Sequence, residues 1–77
     1  MSVQDLGNEL CEMYNGADKG SAVVMIHFFG IKFASQIREN GAHASDIVRV
    51  AGMNDSYVTE IQKGIRLAEF VDVKASV

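Results

Sequence analysis

The sequence predicts an all-α fold, a small domain of four to five helices that contains a helix-turn-helix. Apolar residues recur at intervals of three and four along most of the chain, which is the spacing of one helix face. The 77 residues include no proline, and glycine separates the apolar stretches at positions 16, 41 and 52. Since 48% of the residues are hydrophobic, the chain can bury one core, and we expect a single domain over residues 1–77.

The first predicted helix covers residues 3–14 and ends at Asn15-Gly16. We interpret this helix as an addition to the helix-turn-helix. A long helix begins at Lys19 or Ser21, continues to Glu39 and ends at Asn40-Gly41. Its apolar run at residues 23–34, about a dozen residues interrupted by polar ones, is too short to span a bilayer.

The long helix is apolar on two sides. Such a helix is either central in its domain or shared with a partner. Because the core of a chain of this size is small, we expect the second apolar side to form a homodimer. The first stripe contains Val23, Ile26, Gly30, Phe33 and Ile37, and the second contains Val24, Phe28 and Ile31.

Residues 44–64 have the spacing of a helix-turn-helix. Two short helices are predicted at 44–51 and 55–63, with Gly52 as a turn residue that can take a positive φ. Asn54 is a suitable N-cap for the second helix, and Gly64 is a suitable residue to follow its last turn. Apolar residues on one face of each helix hold the two together, and these are Ile47, Val48, Ala51, Met53, Val58 and Ile61.

The segment after Gly64 has two interpretations. Leu67, Phe70 and Val71 have the spacing of a fifth helical turn. Residues 70–73 could equally form a short strand, because they are rich in aromatic and β-branched side chains. Both alternatives remain open for residues 67–74 at this point.

Residues 29–66 resemble the helix-turn-helix domain of Cro-type and lambda-repressor-like regulators, the xenobiotic-response-element family. Members often read Gly-Leu-Ser-Gln-x-x-Leu-Ala-x-x-x-Gly-Val-Ser-x-x-Tyr-Ile-Ser-x-Ile-Glu-x-Gly-x-Arg. Residues 41–66 align with this pattern without a gap, whereas residues 1–28 show no such resemblance. The aligned residues are Gly41, Ala42, His43, Ala44, Ile47, Val48, Gly52, Met53, Asn54, Tyr57, Val58, Thr59, Ile61, Gln62, Gly64 and Arg66, and Phe29, Gly30 and Phe33 match upstream.

The resemblance implies a small DNA-binding transcriptional regulator from a phage or bacterium that binds double-stranded DNA as a dimer. Its second motif helix would enter the major groove. Three departures from the family pattern bear on function: Ala44 replaces a phosphate-binding Gln, Val48 replaces a small Ala at the helix crossing, and His43 replaces the Ser that caps the helix. Expected base-facing residues are Asp55, Ser56, Thr59, Glu60 and Lys63, and the phosphate contacts are Arg49, Arg66 and the backbone near Asn54.

The charge of the chain supports a second function class. The net charge is −3, whereas ordinary DNA-binding domains are more basic. Four basic residues in 41–77, Lys74 among them, are outnumbered by five acidic ones. The alternative is therefore a protein-interaction module, such as an adaptor, an antitoxin-like partner or an inhibitor. Its acidic face, formed by Asp46, Asp55 and Glu60, would bind a basic protein partner.

The sequence does not favour an enzyme. Cys11, His27 and His43 have no metal-ligand spacing, and neither a Gly-rich phosphate loop nor a nucleophile elbow is present. We therefore predict no catalytic residue, no metal and no cofactor. His27 is interpreted as a hydrogen-bonded core or interface residue, and His43 as a helix cap or a simply exposed side chain. Tyr57 is interpreted as a buried anchor, with a phosphate contact by its hydroxyl as the alternative. A single cysteine, expected to be a packing thiol, and the lack of a signal peptide predict a cytoplasmic protein.

Overall fold

The computed structural model describes residues 1–73, which form four α-helices and contain no strand. The helices are α1 (Val3–Asn15), α2 (Ala22–Asn40), α3 (Ala44–Ala51) and α4 (Tyr57–Leu67). This confirms the predicted all-α class and the two N-terminal helices. Residues 68–70 form a turn and 71–73 have no regular structure, so neither a fifth helix nor a strand forms there. The predicted segment's last residue, Lys74, lies outside the described residues.

Local interactions define most of the helix ends. At the start of α1, the Ser2 hydroxyl accepts a hydrogen bond from the Asp5 backbone N–H at 3.1 Å, and the Asp5 carboxylate accepts one from the Ser2 N–H at 3.0 Å. This reciprocal pair is a capping box. Helices α2 and α3 end at Gly41 (φ 62°) and Gly52 (φ 72°), where a side chain would be strained. His43 occupies the N-cap of α3 but makes no side-chain capping bond.

All four helices contribute to one hydrophobic core. Helix α1 packs against both α2 and α3, and its Leu6 and Leu10 are fully buried. Helix α1 is therefore part of the core itself. The first predicted stripe of α2 is largely buried, whereas Val24 in the second is 62% exposed. The remaining fully buried side chains are Ile26, Phe29, Ile47, Val48 and Ile61.

Helices α2 and α4 cross in close backbone contact at Gly30 and Gly64. A Cβ atom at Gly64 would overlap the carbonyl oxygen of His27 and lie 2.9 Å from the Gly30 Cα. A Cβ at Gly30 would lie 2.7 Å from the Ile61 carbonyl oxygen. Both distances are far below van der Waals contact, so only glycine permits this approach. Of all pairs of described helices, α2 and α4 have the most extensive contact.

The predicted bounds of the last helix were wrong at both ends. Helix α4 begins at Tyr57 rather than at residue 55, and it continues through Gly64 to Leu67. Gly64 is therefore an interior residue selected by the close crossing and does not terminate the helix. Asn54 is not the N-cap; its side-chain oxygen accepts a hydrogen bond from the Ser56 N–H at 2.9 Å and stabilises the turn before α4.

Candidate nucleic-acid interface

Helix α4 has an inner side and an outer side. Ile61 and Gly64 are buried, and Tyr57, Val58 and Ile65 pack against the core. Because a helix repeats every 3.6 residues, the exposed residues of α4 three and four positions apart share the opposite side. We call this exposed side, with the two residues before the helix, the recognition face. It consists of Asp55, Ser56, Thr59, Gln62, Lys63 and Arg66.

The first turn of α4 is fixed to α1 by two tyrosines. The hydroxyls of Tyr14 and Tyr57 form a hydrogen bond of 3.0 Å, and the two rings meet edge to face with centroids 5.4 Å apart. The hydrogen bond with Tyr14 raises the pKa of the Tyr57 hydroxyl above its usual range. Tyr57 therefore anchors α4 to α1 as predicted, but it is partly buried and not fully buried.

A second attachment joins α4 to α2. The Nε2 atom of His27 lies 2.5 Å from one oxygen of Glu60, and Lys63 donates a 3.2 Å hydrogen bond to the other. These two hydrogen bonds lower the pKa of Glu60 below its usual range, and the bond with His27 has the larger effect. Glu60, with 21% of its side chain exposed, therefore lies at the edge of the recognition face and is directed towards α2. His27 has the hydrogen-bond partner that the sequence interpretation expected.

The remaining predicted phosphate ligands lie on two helices. Arg49 is on α3, where its side chain is strongly exposed and its Nη1 atom lies 3.5 Å from Asp46 Oδ1. Arg66 is exposed in the last turn of α4. The structure thus brings Asp55, Ser56, Thr59, Lys63 and Arg66 to one side of α4, and it places Arg49 on the preceding helix.

Sequence reasoning missed Gln62 and Arg38. Gln62 lies three residues after Thr59 and four before Arg66, so helical spacing alone could have placed it on the recognition face. Arg38 lies in the last turn of α2, next to the C-terminal end of α4, and its guanidinium is 3.9 Å from the Glu69 carboxylate. No local pattern could have revealed this second position, because it depends on how α2 and α4 pack.

The three carboxylates of the predicted acidic face do not act together. Asp46 lies beside Arg49, and Glu60 is held by His27 and Lys63. Of the three, only Asp55 belongs to the exposed recognition face, which it shares with two cations. The local charge of this face is therefore more positive than the net charge of the chain.

The described part of the chain, residues 1–73, contains no group of three or more His, Cys, Asp or Glu residues that could hold a metal ion. Within the same residues, no helix has both the length and the apolar character needed to cross a membrane.

The comparisons with known proteins give one positive result. A family model described as an HTH-like domain matches residues 2–74, which include α1 as well as the helix-turn-helix. No curated protein and no solved structure matches the chain. The match supports a helix-turn-helix domain without selecting the Cro-type and lambda-repressor-like group within it. Because it covers nearly the whole sequence, the chain belongs to the HTH-like domain family.

Proposed function

We propose that this protein is a small DNA-binding transcriptional regulator that inserts α4 into the major groove of double-stranded DNA. One observation carries the proposal: α4 is fixed to α1 and α2 through Tyr57, Glu60 and Gly64, none of which belongs to the recognition face. That face stays exposed, and its one link to these contacts is the hydrogen bond that Lys63 donates to Glu60. A single α-helix fits the B-DNA major groove, where base edges carry a distinct donor and acceptor pattern. The family membership supports nucleic-acid binding in general.

The side chains of the recognition face suit base and phosphate contacts. Gln62 can form two hydrogen bonds with adenine, and Lys63 or Arg66 can donate to guanine or to phosphates. Asp55 can accept a hydrogen bond from the cytosine amino group, and Ser56 and Thr59 can contact any base.

Three predicted residues have supporting roles in this proposal. Arg49 on α3 and the backbone amides near Asn54 contact flanking phosphates, which position the protein without reading sequence. Glu60 contributes by holding Lys63 through its 3.2 Å hydrogen bond.

We further propose a Cro-type or lambda-repressor-like mode of binding, in a phage or bacterial regulator, with two copies on a two-fold site. An exposed apolar pair at the start of α2 supports dimerisation: Val23 and Val24 are 44% and 62% exposed. Removing such side chains from water favours association. Two copies would place two α4 helices on half-sites about one DNA turn apart.

Selection from a random duplex pool tests the proposal directly. The purified protein should enrich a sequence with two-fold symmetry, and its affinity for that sequence should fall steeply with salt concentration. Lys63→Ala should weaken binding and reduce the salt slope by about one unit if Lys63 contacts a phosphate. Lys19→Ala is the matched control, because Lys19 lies in the connection between α1 and α2.

Failure of the folded protein to enrich any duplex at low salt would refute DNA binding. The protein-interaction alternative would then be tested by reversing Asp55 to Lys and measuring capture of basic proteins. The structure supports this alternative less, because His27 and Lys63 hold Glu60 at the edge of the recognition face, which leaves Asp55 as the one carboxylate on that face.

A further inference from the structure

A groove lies between the C-terminal ends of α2 and α4, beside the recognition face. Its volume is about 330 Å³, and it is shallow and largely open to solvent. Four polar side chains and one apolar side chain line it: Arg38 from α2, Gln62, Ile65 and Arg66 from α4, and Glu69 from the turn that follows.

The lining has the chemistry of a phosphate site. Each guanidinium presents several N–H donors in a planar fork that matches the oxygens of a phosphate group. Arg38 and Arg66 line the groove from different helices, and Gln62 adds an uncharged amide donor to the lining. The two permanent positive charges outnumber the one carboxylate of the groove, Glu69, and therefore favour an anion.

The carboxylate in the groove is a weak partner for Arg38. The Arg38 Nη2 atom lies 3.9 Å from Glu69 Oε1, at the outer limit of an ion pair, and the two side chains are 55% and 58% exposed. Exposed pairs of this kind contribute little to stability. Glu69 also lies beyond the last residue of α4, in a turn. An incoming phosphate can therefore replace Glu69 at little energetic cost.

We propose that this groove holds a backbone phosphate of the DNA whose major groove α4 occupies. Arg38 and Arg66 bind the phosphate oxygens, and Glu69 is a counter-ion that leaves Arg38 when DNA binds. The inference rests on the proposed function. A phosphate of the same duplex is favoured over a free anion because Gln62 and Arg66 belong both to the groove and to the recognition face.

This exchange predicts opposite effects for the two members of the ion pair. Arg38→Gln removes a phosphate ligand, so it should weaken duplex binding about tenfold, as expected for a lost charge-assisted hydrogen bond. The salt slope should fall by about 0.9, the value for one phosphate contact. Glu69→Gln removes the competing carboxylate and should strengthen binding.

The test uses the full chain and the duplex enriched by selection, with affinity measured by fluorescence anisotropy over a series of salt concentrations. Lys19→Gln and Glu12→Gln are matched controls, since they change the net charge equally at exposed positions outside the groove. Both controls should leave the salt slope unchanged. Because phosphate contacts carry no sequence information, Arg38→Gln should weaken binding to the selected duplex and to a scrambled duplex by the same factor.

The outcomes separate the two proposals. If the wild-type protein binds the duplex and Arg38→Gln binds it with the same affinity and slope, the phosphate site is wrong and the proposed function stands. If Glu69→Gln weakens binding, the counter-ion exchange is wrong. If the wild-type protein binds no duplex, both proposals fail. If inorganic phosphate stabilises the wild type but not Arg38→Gln, and Arg38→Gln keeps its affinity for DNA, the groove belongs to a free anion and the inference is overturned.

Discussion

Alanine at position 64 should force α2 and α4 apart. The added Cβ would overlap the His27 carbonyl oxygen, lie 2.9 Å from the Gly30 Cα and lie 3.1 Å from the His27 carbonyl carbon. All three atoms belong to the backbone, so no rotamer change can make room. The helices must separate by several tenths of an ångström or more, and the buried side chains beside the crossing, Phe29 and Ile61, then lose contacts.

The magnitude follows from two opposing effects. In an ordinary helix interior, glycine to alanine stabilises by about 1 kcal/mol. Forcing extra atoms into a well-packed interior typically costs about 1–3 kcal/mol, and a clash between two backbones belongs at the upper end of that range. Subtracting the gain of about 1 kcal/mol from a clash cost of about 3 kcal/mol leaves a net loss. We therefore expect Gly64→Ala to lower the free energy of unfolding by about 2 kcal/mol. For a domain of this size that loss lowers the Tm by roughly 8–16 °C.

Urea unfolding followed by far-ultraviolet circular dichroism measures the change. Gly41→Ala is the control, because a Cβ there meets nothing within 4 Å and only the left-handed backbone (φ 62°) opposes it. That strain costs about 1–2 kcal/mol. Gly30→Ala should resemble Gly64→Ala, and the double variant should lose less than the sum, since one separation relieves both clashes. A Gly64→Ala protein as stable as the wild type would refute the close crossing.

Three further predictions concern the other attachments of the helices. Glu60→Gln should be less stable than the wild type at neutral pH, and the difference in stability should shrink in acid. The pKa of Glu60 is lower in the folded than in the unfolded protein. Its stabilising effect is therefore present above the unfolded pKa and disappears as the pH falls through the folded pKa. Parallel pH profiles of urea midpoints for the two proteins would contradict this. Leu10→Ala should cost about 2–5 kcal/mol in urea unfolding, because Leu10 is fully buried; a much smaller loss would make α1 peripheral. A double-mutant cycle of Tyr14→Phe and Tyr57→Phe should show non-additive unfolding energies, whereas strict additivity would exclude the hydroxyl bond.

Local chemistry explains what the sequence predicted correctly. At Gly41 and Gly52, a helical apolar pattern ends at the same residue that can adopt the left-handed conformation. Two independent signals therefore coincide at these positions. The predicted start of α1 at Val3 likewise agrees with the capping box before it, which short-range contacts alone create.

The same reasoning failed where a distant part of the chain decides the outcome. Gly64 has the local context of a helix terminator, with a helical stretch before it and an ambiguous tail after it. Its actual role depends on Gly30 and the His27 backbone, which come much earlier in the sequence. Glu60 shows the same limit: its helical position suggested exposure, whereas His27 holds its carboxylate towards α2. Arg38 entered the candidate interface only once the packing of α2 against α4 was known.

Most of the recognition face can be altered without disturbing the contacts that hold α4. The contacts that hold α4 in place involve Tyr57, Glu60 and Gly64, and apart from the bond between Glu60 and Lys63 they leave the recognition face untouched. Substitutions at Thr59, Gln62 or Arg66 should therefore alter DNA affinity with little effect on the unfolding free energy, since exposed positions usually contribute less than about 0.5 kcal/mol. Lys63 is the exception, because its replacement also removes a hydrogen bond from Glu60. Comparing unfolding and binding for Gln62→Ala and Lys63→Ala should thus distinguish a residue that only contacts DNA from one that also helps to hold α4 on α2.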